Sequence, residues 1–158
     1  MPYINVNQKR LHYSDSHPDG PPAGGLTYIF IHGLGSSQNY YYGVIPHLTQ
    51  IHRCIAIDTY GSGRSAFTGL SQSIDTIADD VVKVMDELKV SKAVLVGHSM
   101  GATTALQLAA KHGDKVIAVV AIGPVHPTAS TGQVFEKRIQ IVSEGMYFAS
   151  YFFSLNKG

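Results

Sequence analysis

The sequence predicts an α/β protein, with a mostly parallel sheet covered by helices on both faces. Two observations carry this. Short apolar runs recur along the chain and alternate with helix-period segments. The last run, "VIAVVAI", has no polar alternation and so reads as a strand buried on both faces. Strands alternating with helices imply a mainly parallel sheet covered on both faces.

The elements follow in order. Tyr3–Val6 and Leu11–Ser14 read as short strands of a hairpin. "SHPDGPPAGG", residues 16 to 25, is rich in Pro and Gly and reads as an exposed loop. Thr27–Ile31 is an apolar strand, Tyr40–Leu48 is weakly helical, and Cys54–Ile57 is another strand. Ser73–Lys89 has apolar residues at Ile74, Ile77, Ala78, Val81, Val82, Met85 and Leu88, the spacing of one helix face. Ser73 suits the N-cap, and Asp75 complements the dipole in the first turn. Ala93–Val96 is a strand. Ser99–His112 is an Ala- and Leu-rich helix, with Gly113 expected as its left-handed cap. Val116–Ile122, "VIAVVAI", reads as a strand buried on both faces.

That last strand raises a difficulty. Only a loop, "GPVHPTASTGQ", and a helix-prone tail, Val134–Leu155, follow it. With no later strand, "VIAVVAI" would be a bare apolar sheet edge, which proteins normally avoid. The expectation is a fold that stops before its sheet is complete, with self-association through the open edge as one outcome.

Bulk properties narrow the function classes. The chain has 158 residues, 44% hydrophobic and 15% charged, with a net charge of +1. Such a balance gives no electrostatic reason to expect nucleic acid or a membrane surface as partner. Cys54 is the single cysteine, so an intrachain disulfide framework is excluded. The N-terminal "MPYINVNQKR" has no apolar core of a secretory signal, and a cytoplasmic location is expected.

Three motifs carry the chemistry. The first is "VLVGHSMGA", where Gly97-His98-Ser99-Met100-Gly101 forms G-x-S-x-G between a strand and a helix. The pattern alone recurs by chance, but in this context it makes a nucleophile elbow. A turn that tight strains the serine backbone and crowds the residues two before and two after, where glycine relieves the clash. The helix then aims its N-terminus at the hydroxyl.

The second motif is "YIFIHGLGSS", where His32-Gly33-Leu34-Gly35 ends a strand. Acyl transfer needs two N–H donors converging on one oxygen. Met100, after the nucleophile, and Leu34 are the expected donors. His32 reads more readily as a loop brace than as a proton shuttle. The substrate-contacting candidates are His32, Gly33, His98 and Tyr40, although the aromatics of "NYYYG" also suit simple helix packing.

The third motif is "IAIDTYGSGRS". A nucleotide site could be read from Gly61, Gly63 and Ala66, but these glycines open no helix and no acidic residue follows a next strand. A tight loop braced by Asp58 or Arg64 is the better reading.

Together the motifs H-G-x-G at His32–Gly35, D-x-x-G-x-G-x-S at Asp58–Ser65 and G-H-S-M-G at Gly97–Gly101 resemble the α/β-hydrolase superfamily. The resemblance spans about residues 3 to 125. Within the superfamily the match is close to the ester and lactone hydrolases that include 3-oxoadipate enol-lactonases and small carboxylesterases. It implies a serine esterase or lactonase with Ser99 as nucleophile, a small ester or lactone as substrate, and no cofactor or metal. A serine at the elbow argues against dehalogenase and epoxide-hydrolase chemistry. It further implies that the chain is the N-terminal portion of such a protein. Residues 1–130 would be a core truncated after about the sixth strand, and 131–158 the start of a helical cap.

The acid and histidine of the triad come later in that family, in the order Ser, acid, His. Local substitutes are poor. Asp114 lies beyond the helix that starts at Ser99, about 20 Å away at 1.5 Å per residue. His126 follows the neighbouring strand and is the better substitute base, though it also reads as a pocket-rim histidine. Glu136 and Glu144 read as solvated positions on cap helices. Without a base a serine is a poor nucleophile, so the isolated chain is expected to be weak or inactive. The alternative is a non-catalytic small-molecule-binding module of hydrolase ancestry.

Overall fold

The computed structural model describes residues 2–126 together with residues 128, 133 and 136. The chain divides into a unit ending at Pro124 and a second unit, Val125–Gly158. In the second unit Gln133 and Glu136 are helical and exposed. The rest of the expected cap start, Glu144 included, lies outside the described residues.

Strands β1 (Tyr3–Val6) and β2 (Lys9–Asp15) form the expected antiparallel hairpin. Its two turn residues, Asn7 and Gln8, both have positive φ, the signature of a turn whose twist matches the strands. The remaining elements are β3 (Thr27–Ile31), a 3-10 turn (Gln38–Tyr41), α1 (Ile45–Leu48) and β4 (Arg53–Ile57). After these come α2 (Ile74–Glu87), β5 (Ala93–His98), α3 (Met100–Lys111), a 3-10 turn (Gly113–Lys115) and β6 (Val116–Ile122). The six strands form one mixed sheet in the order β1-β2-β4-β3-β5-β6. The pairs made by β3, β4, β5 and β6 among themselves are parallel.

Strand alternation divides the core. On one face Ile29, Ile31, Ile55, Ile57 and Leu95 pack with Val81 and Met85 of α2 and Ala105 and Leu108 of α3. On the other, Phe30, Cys54, Ala56 and Val96 pack with Tyr41 of the 3-10 turn and Ile45 and Leu48 of α1. Helical segments therefore cover both faces, as the apolar runs predicted. Ser73 caps α2 through a reciprocal box. Its hydroxyl accepts from the Thr76 N–H at 3.2 Å and its own N–H donates to Thr76 Oγ1 at 2.9 Å. A buried Lys9–Asp80 ion pair at 2.6 Å ties the hairpin to α2.

Three local expectations are corrected. The segment 40–48 is not one helix: Gly43 and Pro46 interrupt it, leaving a 3-10 turn and a single α-helical turn. Gly113 is not a left-handed cap; α3 ends at Lys111 with His112 as its C-cap, and Gly113 opens a 3-10 turn. Strand β6 is not buried on both faces. Ile117, Val120 and Ile122 are 47%, 46% and 44% exposed, because among the described residues β5 is its only strand partner. Among the described residues no helix is long and apolar enough to cross a membrane.

Candidate active site

Ser99 stands alone between the end of β5 and the start of α3, at φ 54° and ψ −117°. The mirror image of that pair is ordinary extended backbone, so the conformation suits glycine and strains an L-residue. The flanking glycines explain how the turn closes. A Cβ on Gly97 would collide with the Gly101 carbonyl, and a Cβ on Gly101 with the Ile31 carbonyl. The Ser99 N–H donates to the Ile122 carbonyl at 2.9 Å, which ties the elbow to the end of β6. Ser99 occupies the N-cap of α3, where a serine normally caps with its side chain. Here it makes no such bond, so the half-buried hydroxyl stays available.

The H-G-L-G loop leaves β3 beside the elbow, since Ile31 pairs with Gly97. His32 is fully buried. Its Nδ1–H donates to the Gly33 carbonyl at 2.7 Å, and its Nε2 accepts from the Thr59 N–H at 3.1 Å. Burial lowers its pKa, against the opposing effects of the Gly33 carbonyl and the Asp58 charge. The ring is thus a neutral brace between two loops. As a substrate contact His32 is corrected, because both ring nitrogens are engaged and no surface is left to touch a ligand. Gly33 is pressed against the elbow, and Leu34 is 58% exposed. Met100 is the first residue of α3, so its N–H has no acceptor within the helix.

Asp58 organises the third motif. Its carboxylate accepts from the Gln38 N–H at 2.7 Å and the Arg64 N–H at 3.1 Å, and lies 2.8 Å from His12 Nδ1. Burial would raise its pKa, but these hydrogen bonds outweigh it and hold the carboxyl below 3.8. Ser65 Oγ donates to the Asp58 carbonyl at 2.6 Å and accepts from the His12 N–H at 2.8 Å. The loop is therefore a structural knot that also anchors the turn after H-G-L-G. Asp58 is the brace that sequence reasoning proposed; Gln38 and His12 were missed. They lie 20 and 46 residues from Asp58, and no local pattern marks them.

The three tyrosines of "NYYYG" have different surroundings. Tyr40 stacks on His98 with centroids 4.4 Å apart and planes 16° apart, and is half exposed. His98 is half-buried, with Nδ1 enclosed and unpartnered. His98 precedes Ser99 in the chain, so the stacked pair lies beside the elbow. Tyr41 is buried and Tyr42 is 80% exposed, so the helix-packing reading holds for Tyr41 alone.

Of the remaining candidates, Asp114 sits in the 3-10 turn after the 12-residue α3, at the end of that helix away from Ser99. His126 is exposed and belongs to the second unit. A cavity of about 640 Å³ lies elsewhere, lined by Asn7, Lys9, Asp80 and His112, and does not include Ser99.

A mixed sheet in this strand order, with a strained serine at the strand-to-helix turn, defines an α/β-hydrolase core. The chain belongs to the alpha/beta hydrolase fold family, which it matches over residues 29–157. It is 34% identical over 136 residues to a protein named as the carbamate hydrolase RutD in Caulobacter vibrioides, covering 85% of this chain and 50% of that protein. The crystal structure of the enol-lactonase from Burkholderia xenovorans LB400 is similar at TM-score 0.71 and 31% identity, covering 78% of this chain and 46% of that one. Est816, described as an N-acyl homoserine lactone degrading enzyme, is similar at TM-score 0.72 and 28% identity, over 85% and 52% of the two chains. The chain spans about half the length of the curated relatives it matches.

Proposed function

We propose that the chain carries the nucleophile half of a serine hydrolase acting on carboxylic ester or lactone bonds. The observation that carries this reading is Ser99 itself: positive φ, glycines at both crowded positions, and a hydroxyl that does not cap its own helix. In the proposed reaction Ser99 Oγ attacks the substrate carbonyl carbon while a base takes its proton. The carbonyl oxygen becomes an oxyanion, held by the Leu34 and Met100 N–H groups and favoured by the N-terminus of α3. Collapse expels the alcohol and leaves an acyl-enzyme, which water hydrolyses. Gly33, His98 and Tyr40 line the approach. The enol-lactonase and the lactone-degrading Est816 among the structural relatives support the ester and lactone class.

The base is the weak point of this chain. Two of the described histidines are committed elsewhere, His12 to Asp58 and His32 to the Gly33 carbonyl. His126 is the candidate substitute. Loss of the base lowers turnover by on the order of 10⁴-fold or more in serine hydrolases. In this reading the 158-residue chain by itself has weak or no turnover. The alternative is a binding module that keeps the pocket without the chemistry.

A fluorophosphonate probe and a nitrophenyl ester separate these readings. Slow labelling confined to Ser99, abolished by Ser99→Ala and reduced by His126→Ala, is expected, with negligible ester turnover. Labelling that persists in Ser99→Ala overturns the nucleophile assignment. Saturable ligand binding with no labelling favours the binding module.

A further inference from the structure

Tyr41 reaches, from the side of the sheet opposite α3, the point where the two site loops separate. It is 2% exposed and its ring packs against Phe30 at 5.0 Å. Its hydroxyl donates to the Ile31 carbonyl at 2.9 Å and lies 3.4 Å from the Val96 carbonyl. Ile31 is the last residue of β3, and Val96 is two residues short of the end of β5. The ladder between these strands has its final pairing at Ile31 and Gly97. Beyond it β3 becomes the H-G-L-G loop and β5 becomes the elbow, so no further backbone rung can hold them together. The Ile31 carbonyl is also the group against which Gly101 is pressed. One carbonyl is thus gripped by Tyr41 on one side and abutted by the elbow on the other.

We propose that Tyr41 is a positioning residue whose hydroxyl replaces the missing rung and holds the oxyanion loop in register with the nucleophile elbow. The proposal rests on the reading of Ser99 as nucleophile. Tyr41 touches neither substrate nor reacting atoms; it acts through the Ile31 and Val96 carbonyls. Burial, with a smaller contribution from Tyr40 and against a backbone hydrogen bond from His98, pushes its pKa up, so the hydroxyl remains a donor across the working range. Neither Tyr40 nor Tyr42 can substitute, since both rings stand at the surface.

The test uses Tyr41→Phe, which keeps the ring and removes one hydroxyl. Amide hydrogen exchange at residues 33–36 and 97–101 should accelerate roughly tenfold, the size of one lost buried hydrogen bond. Amides of α2 and the β1–β2 hairpin should be unchanged. Ser99 labelling should lose its maximal rate while probe affinity is retained. A uniform rise in exchange, or none, overturns the proposal. If Ser99 of the unmodified chain takes no label, the nucleophile reading fails, and exchange alone then judges the clamp. If Tyr41→Phe does not fold, NMR of the unmodified chain decides. A slowly exchanging Tyr41 hydroxyl proton close to the Ile31 and Val96 backbone supports the clamp, and a rapidly exchanging one overturns it.

Discussion

Gly33 and Ser99 are packed so closely that a Cβ on the glycine would lie 3.1 Å from the serine Cβ, and equally close to His98 Nδ1. The H-G-L-G loop and the turn at Ser99 therefore touch with no room for a side chain between them. Gly33→Ala should push the loop off the elbow, at a cost of about 1–3 kcal/mol for overpacking. Denaturant unfolding should register that loss, and Ser99 labelling should slow by more than the loss of folded protein explains. An unchanged labelling rate would show that the contact does not set the site.

The strain at Ser99 is itself measurable. Ser99→Gly removes the Cβ and should stabilise the fold by about 1 kcal/mol, whereas Ser99→Ala, which keeps it, should not. Thermal melts of the two variants compare them directly. Equal melting points would mean that the serine conformation is not strained.

His32 predicts a loss of stability in mild acid. Its pKa in the fold lies below the ordinary 6.5, so the folded state binds fewer protons than the unfolded chain in that range. The stabilisation is full above 6.5 and is lost as pH falls through 6.5 toward the folded value. Denaturant midpoints should drop between pH 7.5 and 5.5, and the drop should shrink in His32→Gln, which cannot titrate. Parallel pH profiles for the two proteins would remove the histidine from the explanation.

Asp58 governs a lower window. Its carboxyl is held below 3.8 by hydrogen bonds from Gln38, Arg64 and His12 that overcome the cost of burial. Its contribution is present above 3.8 and disappears as pH falls through the lower folded value. Asp58→Asn should cost about 2–3 kcal/mol at neutral pH, because several buried donors lose a charged acceptor. The gap between variant and parent should close in strong acid. A gap that is constant with pH would argue that shape, not charge, is what the loop requires.

The exposed strand β6 makes a prediction about assembly. Val116–Ile122 presents seven residues without a charge or proline to discourage pairing, and its outer edge has no strand partner among the described residues. Light scattering should show association that grows with concentration and is suppressed by Val120→Lys. A monodisperse monomer at high concentration would show that the edge is covered in another way.

The amino-acid sequence by itself determined the alternation of strands and helices, the capped helix α2 and the elbow at Ser99. Each of these is a local matter: apolar period, a serine before an amphipathic run, glycines two residues either side of a hydroxyl. The loop brace at His32 was also foreseen, from a histidine following a buried strand. Tertiary structure alone decided what holds the site in place. The Asp58 contacts to Gln38 and His12, the Tyr41 grip on Ile31, and the stacking of Tyr40 on His98 all join residues far apart in the chain. Three consecutive tyrosines look alike in sequence, and only the packing around Phe30 buries the middle one. The exposure of β6 is the same lesson in reverse: its composition reads as a core strand, but burial depends on neighbours, which a strand's own residues do not encode.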